Sequence, residues 1–314
     1  VTSTDIGFFL AILQAAVNAG TPILYAAVGE VIVERAGVLN LGLDGMMMVG
    51  ALSGFVMSRA TGNPWAGFLA AAIVTAGFSL VHAFVAVILR ANQIVSGLAL
   101  VMLGNGLASF FGTDLAGEVA PHFERFPVPG LSKIPGLGSV LFHHNGAVYL
   151  SFVVVAVTGF FLYRTRPGLA LQVVGDSPET ADAAGIPVLR IRILAVLVGG
   201  AMAGLGGAYL SLADTPSWMD RMTAGRGWIA VALVIFSGWD PVRAALGSYL
   251  FGGLVALQFR IQALGYSVSV FLLQMVPYLA TLGALALTGL RSSIRLSMGA
   301  PEALGRPFDR EERR

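Results

Sequence analysis

The chain has 314 residues, 56% of them hydrophobic and only 11% charged, with a mean hydropathy of +0.80; a soluble domain carries about twice that charged share, so the sequence reads as an integral membrane protein. Its formal net charge of +2 rests on 19 basic residues, all but Lys133 arginine, scattered through short loops without the basic face that nucleic-acid binding requires. Cysteine is absent, which excludes a disulfide framework, a thiolate nucleophile and cysteine-based zinc or iron–sulfur sites.

A helix needs about 20 mostly apolar residues to cross roughly 30 Å of hydrocarbon, and about nine stretches qualify. They are approximately 6–28, 38–57, 65–89, 94–111, 147–163, 191–212, 228–239, 244–264 and 268–290. The first is preceded by Val1 to Asp5 without a basic region, so it is expected to stay as a membrane helix rather than be cleaved as a signal peptide.

The approach to the second stretch, "GEVIVERAGVLNLGLDGMMMVG", is unusually polar. Glu30, Glu34 and Arg35 are expected at the cytoplasmic surface. Asp44 would lie on the order of 10 Å inside a span that begins near Val38, where a charge is expensive. Asn40 and Asp44 are four apart and share a face, while Gly37, Gly42 and Gly45 interrupt the helix around them. Asp44 is placed to cap a helix starting at Gly45. Broken helices at membrane depth are tolerated where they are buried in protein or line a cavity, so Asp44 either meets a solute or holds the break. Further along, Asn92, Gln93, Ser96 and Asn105 are neutral, as are Asn18, Gln258 and Gln274. Together with Asn40 and Asp44, the first four make a candidate pathway for an uncharged, hydrogen-bonding solute.

Two loops are long. The 112–146 loop is rich in Pro and Gly and reads as turns with room for a short surface helix. The 164–190 loop has a helix-start signal at Asp176 to Pro178, acidic Glu179 in the first turn, and a stop at Gly185 and Pro187. It predicts one short helix of about two turns. In the next span Gly200 and Gly204 share a face, with Gly199, Ala203 and Gly207 on the neighbouring one. Small residues at that spacing let helices approach closely in lipid, and tight packing is the reading favoured here over a solute lining. Nine spans divide the Arg and Lys residues thirteen to six. The richer side, with the C-terminus, is then cytoplasmic, and the 112–146 loop is external.

No P-loop pattern and no Gly-Lys pair occurs, so the chain has no phosphate cradle of that kind. Gly104 to Gly106 and Gly204 to Gly207 do not complete G-x-G-x-x-G. The histidines form no ligand set: His82 stands alone in a span and is expected to be hydrogen-bonded within the bundle, whereas His122, His143 and His144 lie in the external loop. Neither H-E-x-x-H nor G-x-S-x-G appears. No catalytic, cofactor-binding or metal-ligating residue is assigned, and the chain reads as a transporter rather than an enzyme.

Four blocks, "LYAAVGEVIVERAGVLNLGLDGMMMVGA", "ANQIVSGLAL", "GDSPETADAAGI" and "MTAGRGWIAVALVIFSGWDPVRAALGSYLFG", resemble in order the permease subunits of bacterial ABC importers of the branched-chain amino acid and simple-sugar superfamily. The nearest likeness is to nucleoside or simple-sugar permeases that work with basic-membrane-protein-type binding lipoproteins. The resemblance implies an all-α polytopic transmembrane bundle at residues 1–290, with a cytoplasmic tail at 291–314, in the bacterial inner membrane. It implies partners as well: cytosolic ATPase subunits that carry ATP and Mg, a second permease, identical or related, and an extracytoplasmic solute-binding protein. No cofactor is expected in this chain. The 164–190 helix would be the coupling helix gripped by the ATPase, matching the family pattern at Gly175, Asp176, Pro178, Ala181, Ala184 and Gly185. Its small residues would let it sit in a groove while Asp176 caps its start. After "ANQIVSGLAL" many relatives carry an asparagine, where this chain has Val101 and Met102; Asn105 lies one turn further. A self-sufficient secondary transporter or facilitator, and a branched-chain amino acid permease, are the alternatives. Paired interrupted helices would favour the former, and only one convincing break is visible.

Overall fold

A computed structural model describes residues 3–263, scattered positions between 269 and 283, and 300–309. Helix α1 (Ser3–Arg35) is the longest, and Ile23 to Val28 along it are wholly buried. After Gly37, which adopts a left-handed φ of 82°, residues 38–42 are non-helical until α2 (Leu43–Thr61) begins. Gly62 ends α2 in the left-handed region, and the Asn63 side chain then caps α3 (Pro64–His82), with Pro64 pre-set for the first turn. This helix continues as a π segment over Ala83–Ile88, and Asn92 caps α4 (Gln93–Gly112) by accepting from Val95 N.

The 112–146 loop folds back on itself. Strand β1 (Arg125–Pro127) pairs antiparallel with β2 (His143–Asn145), with α5 (Leu137–Leu141) between them, and Asn145 caps α6 (Gly146–Arg164). Then come α7 (Arg166–Asp176), α8 (Pro178–Ala183), α9 (Val188–Tyr209) with a π continuation over Leu210–Asp214, α10 (Arg226–Ser237) and α11 (Pro241–Ala263).

Six of the about nine expected spans are present as such among the described residues. Among the described residues six helices are long and apolar enough to cross a membrane: Phe9–Arg35, Pro64–Ile88, Gln93–Leu115, Gly146–Arg164, Val188–Asp214 and Pro241–Ala263. Helix α2 is long enough, but Asp44, Arg59 and its glycines keep it too polar. It is tolerated because it packs against α3, α4, α9 and α10 instead of standing in lipid. Helix α10 is bounded by left-handed Gly225 and Gly238 and has only 12 residues. The ninth stretch, 268–290, lies largely outside the described residues.

Small residues set the closest crossings. A Cβ added at Gly50 would stand 2.5 Å from the Gly204 backbone, and one at Gly200 would stand 2.5 Å from the Ser79 side chain. At Gly207 an added Cβ would run into the Met47 carbonyl. Helix α9 therefore lies wedged between α2 and α3, held by dispersion contacts that lipid cannot replace.

Candidate functional site

The break between α1 and α2 is built by side chains that reach backbone groups. Both Glu30 and Glu34 are fully buried, which corrects their expected place at the surface. The Glu30 carboxylate accepts from Asn40 N (3.1 Å) and Asn40 Nδ2 (3.3 Å), and Asn40 Oδ1 in turn accepts from Gly42 N at 2.9 Å. From α4, Gln93 Oε1 accepts from Leu39 N at 2.7 Å. His82, within the bundle, meets Leu39 O at 3.2 Å and Ser96 Oγ at 3.0 Å. Glu34 accepts from Trp239 Nε1 at 2.5 Å, and Arg35 Nε donates to Trp239 O at 3.1 Å. Glu30, Asn40, Gln93 and His82 thus replace, at Leu39, Asn40 and Gly42, hydrogen bonds that a continuous helix would have supplied.

Asp44 is in the first turn of α2, whose cap is Gly42, so it does not start a helix at Gly45 as expected. Its carboxylate instead accepts from Gly227 N and Thr223 Oγ1, each at 3.2 Å, and from the Asn105 side chain. It therefore closes the amino end of α10, a different helix, where unsatisfied N–H groups favour an anion. A Cβ at Gly227 would collide with Asp44, so the approach depends on a glycine. Asn105 Oδ1 is buried without a hydrogen-bond partner among the described residues.

Beside this contact opens a cavity of about 550 Å³, lined by Gln14 and Asn18 of α1, Arg125 of β1, Asp214, Arg226 of α10, and Phe259 and Arg260 of α11. Arg226 Nη2 pairs with Asp214 Oδ2 at 3.6 Å. Sequence reasoning missed Asp214, Arg226 and Gln14. The first two are a dozen residues apart and meet only because the π segment of α9 and the left-handed Gly225 bring the two helix ends together. Gln14 and Asn18, four apart on α1, carried a helical-face signal that could have been read. None of the predicted pathway residues lines this cavity; Asp44 is bonded to Gly227, the chain neighbour of Arg226, and Asn105 reaches Asp44. Asn40, Gln93 and Ser96 lie at the break, and Asn92 caps α4. Among the described residues no three His, Asp or Glu side chains are grouped to hold a metal.

At the other end the 164–190 loop carries two helices rather than one. Pro178 forces Ser177 out of the helical region (φ −147°, ψ 84°), so the chain breaks there. Asp176 ends α7 instead of capping α8; partial burial raises its carboxyl above the usual range, with Arg35 pulling the other way. At the far end of α8, Gly185 N bonds Asp182 O and Ile186 N bonds Ala181 O, the paired bonds of a glycine-terminated helix. The six predicted coupling residues separate into two groups. Gly175, Pro178 and Ala181 are buried, Gly175 directly against the Arg35 carbonyl, while Asp176, Ala184 and Gly185 are exposed.

Residues 12–285 match the family described as branched-chain amino acid transport system / permease component. A protein of Haloferax volcanii provisionally named a glucose ABC transporter permease is 42% identical over 97% of this chain and 99% of its own length. The nucleoside ABC transporter permease of Lactococcus lactis is 36% identical, over 85% of this chain and 88% of its own. The guanosine ABC transporter permease of Bacillus subtilis is 33% identical, over 96% and 97%. No solved structure matches. A buried, braced helix break, a cavity of mixed polar and apolar wall at one end and a short two-helix elbow at the other thus lie in a non-catalytic transport protein, and the chain belongs to the permease-component family of ABC importers for small solutes, related to nucleoside and sugar permeases.

Proposed function

We propose that this chain forms the translocation pathway of an importer for a nucleoside or simple sugar, opening alternately to the two sides under the drive of separate ATPase chains. The outer cavity is the observation that carries this reading. Its volume falls within the range of small-molecule sites, roughly 300–1,000 Å³, and its wall mixes hydroxyl-binding and apolar groups. The Asp214 carboxylate and the Gln14 and Asn18 amides suit sugar hydroxyls, the guanidinium groups suit ring or carbonyl acceptors, and Phe259 is an aromatic surface. The names of the relatives, which include nucleoside, guanosine and glucose transport, point to the same chemistry.

Solute leaving the cavity inward would pass Arg226 and then the Asp44–Asn105 pair, where the unpartnered Asn105 oxygen is a free acceptor. Asn40, Asn92, Gln93 and Ser96 would shape this route by fixing the break and the start of α4. Arg35, Arg90, Arg192 and Arg306 gather at the end that carries α7 and α8. By the excess of positive charge in cytoplasmic loops, that end faces the cytosol of a cell whose inner membrane holds the protein, and the C-terminus lies there too. Exposed Ala184, Gly185 and Asp176 make the face an ATPase would grip, with a second permease completing the pathway and a binding protein delivering solute to the outer cavity.

The test is reconstitution in liposomes with the cognate ATPase and binding protein, measuring uptake of labelled nucleoside and hexose. Uptake should require ATP and all components, and Asp44→Asn should weaken it. Transport by this chain alone, without ATP, would sink the reading and establish a facilitator.

A further inference from the structure

The segment 300–309, at the far end of the sequence, packs back onto three separate parts of the inner end. Ala303 N donates to Gly175 O at 3.0 Å, at the carboxyl end of α7. Gly305 N donates to Gly37 O at 3.2 Å, so two left-handed glycines (φ 76° and 82°) meet at the entry to the break. Arg306 O accepts from Arg192 Nη1 at 3.0 Å. Arg192 is only 2% exposed, and its Nε and Nη2 have no hydrogen-bond partner among the described residues. The segment thus supplies the sole acceptor found there for a buried guanidinium. Phe308, 6% exposed, shares a cluster with Val174, Ala181 and Val188, and Asp309 pairs with Arg90.

We propose that residues 300–309 are a positioning strap, which holds α8 in register with the break between α1 and α2 so that a push on α8 is passed to residues 37–42. The proposal rests on the reading of α8 as the coupling helix. A six-residue helix has no stability of its own, so its position is set by what lies under it, and Phe308 is the largest side chain under Ala181. Midway along it, Gly305 of the same strap makes a backbone hydrogen bond to Gly37, two residues from Leu39, which Gln93 and His82 fix. The exposed Arg90–Asp309 pair adds little holding strength; the buried phenyl ring and the three hydrogen bonds provide it.

The experiment uses the complete reconstituted complex and reads solute imported per ATP hydrolysed. Phe308→Ala should lower that ratio by about fivefold or more, the scale of a typical coupling free energy, while the ATPase still copurifies; Phe308→Leu should restore most of it. Gly305→Ala, strained by its positive φ but away from the Phe308 cluster, should give a smaller fall and keeps the test open if Phe308→Ala does not fold. Because the chain has no cysteine, spin labels placed only at Glu179→Cys and Ala91→Cys report the position of α8 directly, and their distance distribution should broaden in Phe308→Ala. An unchanged ratio in both Phe308→Ala and Gly305→Ala overturns the strap. Ala184→Arg, on the exposed face of the elbow, separates the two failures: if it uncouples transport while the strap variants do not, only the strap falls, and if it couples normally the coupling-helix reading falls with it.

Discussion

At the break between α1 and α2, Glu30, Asn40, Gln93 and His82 all spend hydrogen-bonding groups on residues 39–42, and Glu30 and Asn40 are wholly buried. At the cavity, Gln14, Asn18, Asp214 and Arg226 line open space. Both sets are polar residues in an apolar bundle, and both look alike as letters in a sequence. The contrast shows that a polar group in a membrane protein acquires meaning from its partner: backbone atoms make it a structural brace, and a cavity makes it available to a solute. Variants at the break should therefore cost stability first, and variants at the cavity transport first.

The largest effect is expected from Glu30→Ala. It leaves Asn40 N and Nδ2 without their acceptor in a fully buried place, a loss of about 3 kcal/mol or more. Thermal unfolding in detergent should show little folded protein at temperatures where the parent is intact. Glu30→Gln, which keeps one acceptor oxygen, should fall between them. A Glu30→Ala protein with parental stability and impaired transport would break the comparison, because it would place Glu30 in the pathway.

Gly227→Val comes next. The added side chain meets Asp44 at the start of α10, and overpacking of this kind costs about 1–3 kcal/mol. Since Asp44 lies between the brace and the cavity, this variant should lower both stability and uptake, whereas Asp44→Asn, which retains an acceptor for Gly227 N, should spare stability more than uptake.

Arg226→Gln sharpens the contrast from the other side. Its pair with Asp214 is partly solvent-accessible and is worth about 1 kcal/mol or less, so the unfolding temperature should barely move. Uptake in the reconstituted system should fall, with the change in apparent solute affinity if Arg226 contacts solute. A large drop in stability with normal uptake would reclassify the cavity wall as another brace.

Much of this arrangement was legible in the sequence. The helix break followed from Gly37, Asn40 and Gly42, and the elbow at 164–190 from its proline and glycine punctuation. Its division into α7 and α8 was also signalled, because Pro178 disfavours helical geometry at Ser177. Burial of Glu30 and Glu34 was not legible, since charged residues near the end of a span ordinarily reach water; here Asn40 and Trp239, separated from them by 10 and 205 residues, come back to meet them. The second expected span differs for a related reason: α2 is polar because it is enclosed by other helices, and hydropathy alone measures fitness for lipid. The cavity was hidden because its wall is drawn from four distant helices and a strand.

The smallest expected effect concerns pH beside the cavity. His144 is buried beside α1, with Nε2 2.7 Å from Val140 O and Nδ1 3.1 Å from the Asn18 amide. Burial, the main cause, holds its pKa below the ordinary 6.5, and the nearby Arg125 and His143 act in the same direction against the Val140 hydrogen bond. As pH falls through about 6.5 the unfolded chain takes up a proton before the folded one does. Stability contributed by neutral His144 is therefore complete above that pH and is lost as the medium is acidified towards the folded pKa. The unfolding temperature of the parent should drop more between pH 7.5 and 5.5 than that of His144→Gln, the figures being about one unit either side of the ordinary histidine value. Because His144 touches Asn18, which lines the cavity, the same acidification should loosen the cavity wall before it reaches the braced break; equal slopes in parent and variant would show that the 112–146 loop does not share in the cooperative unfolding of the bundle.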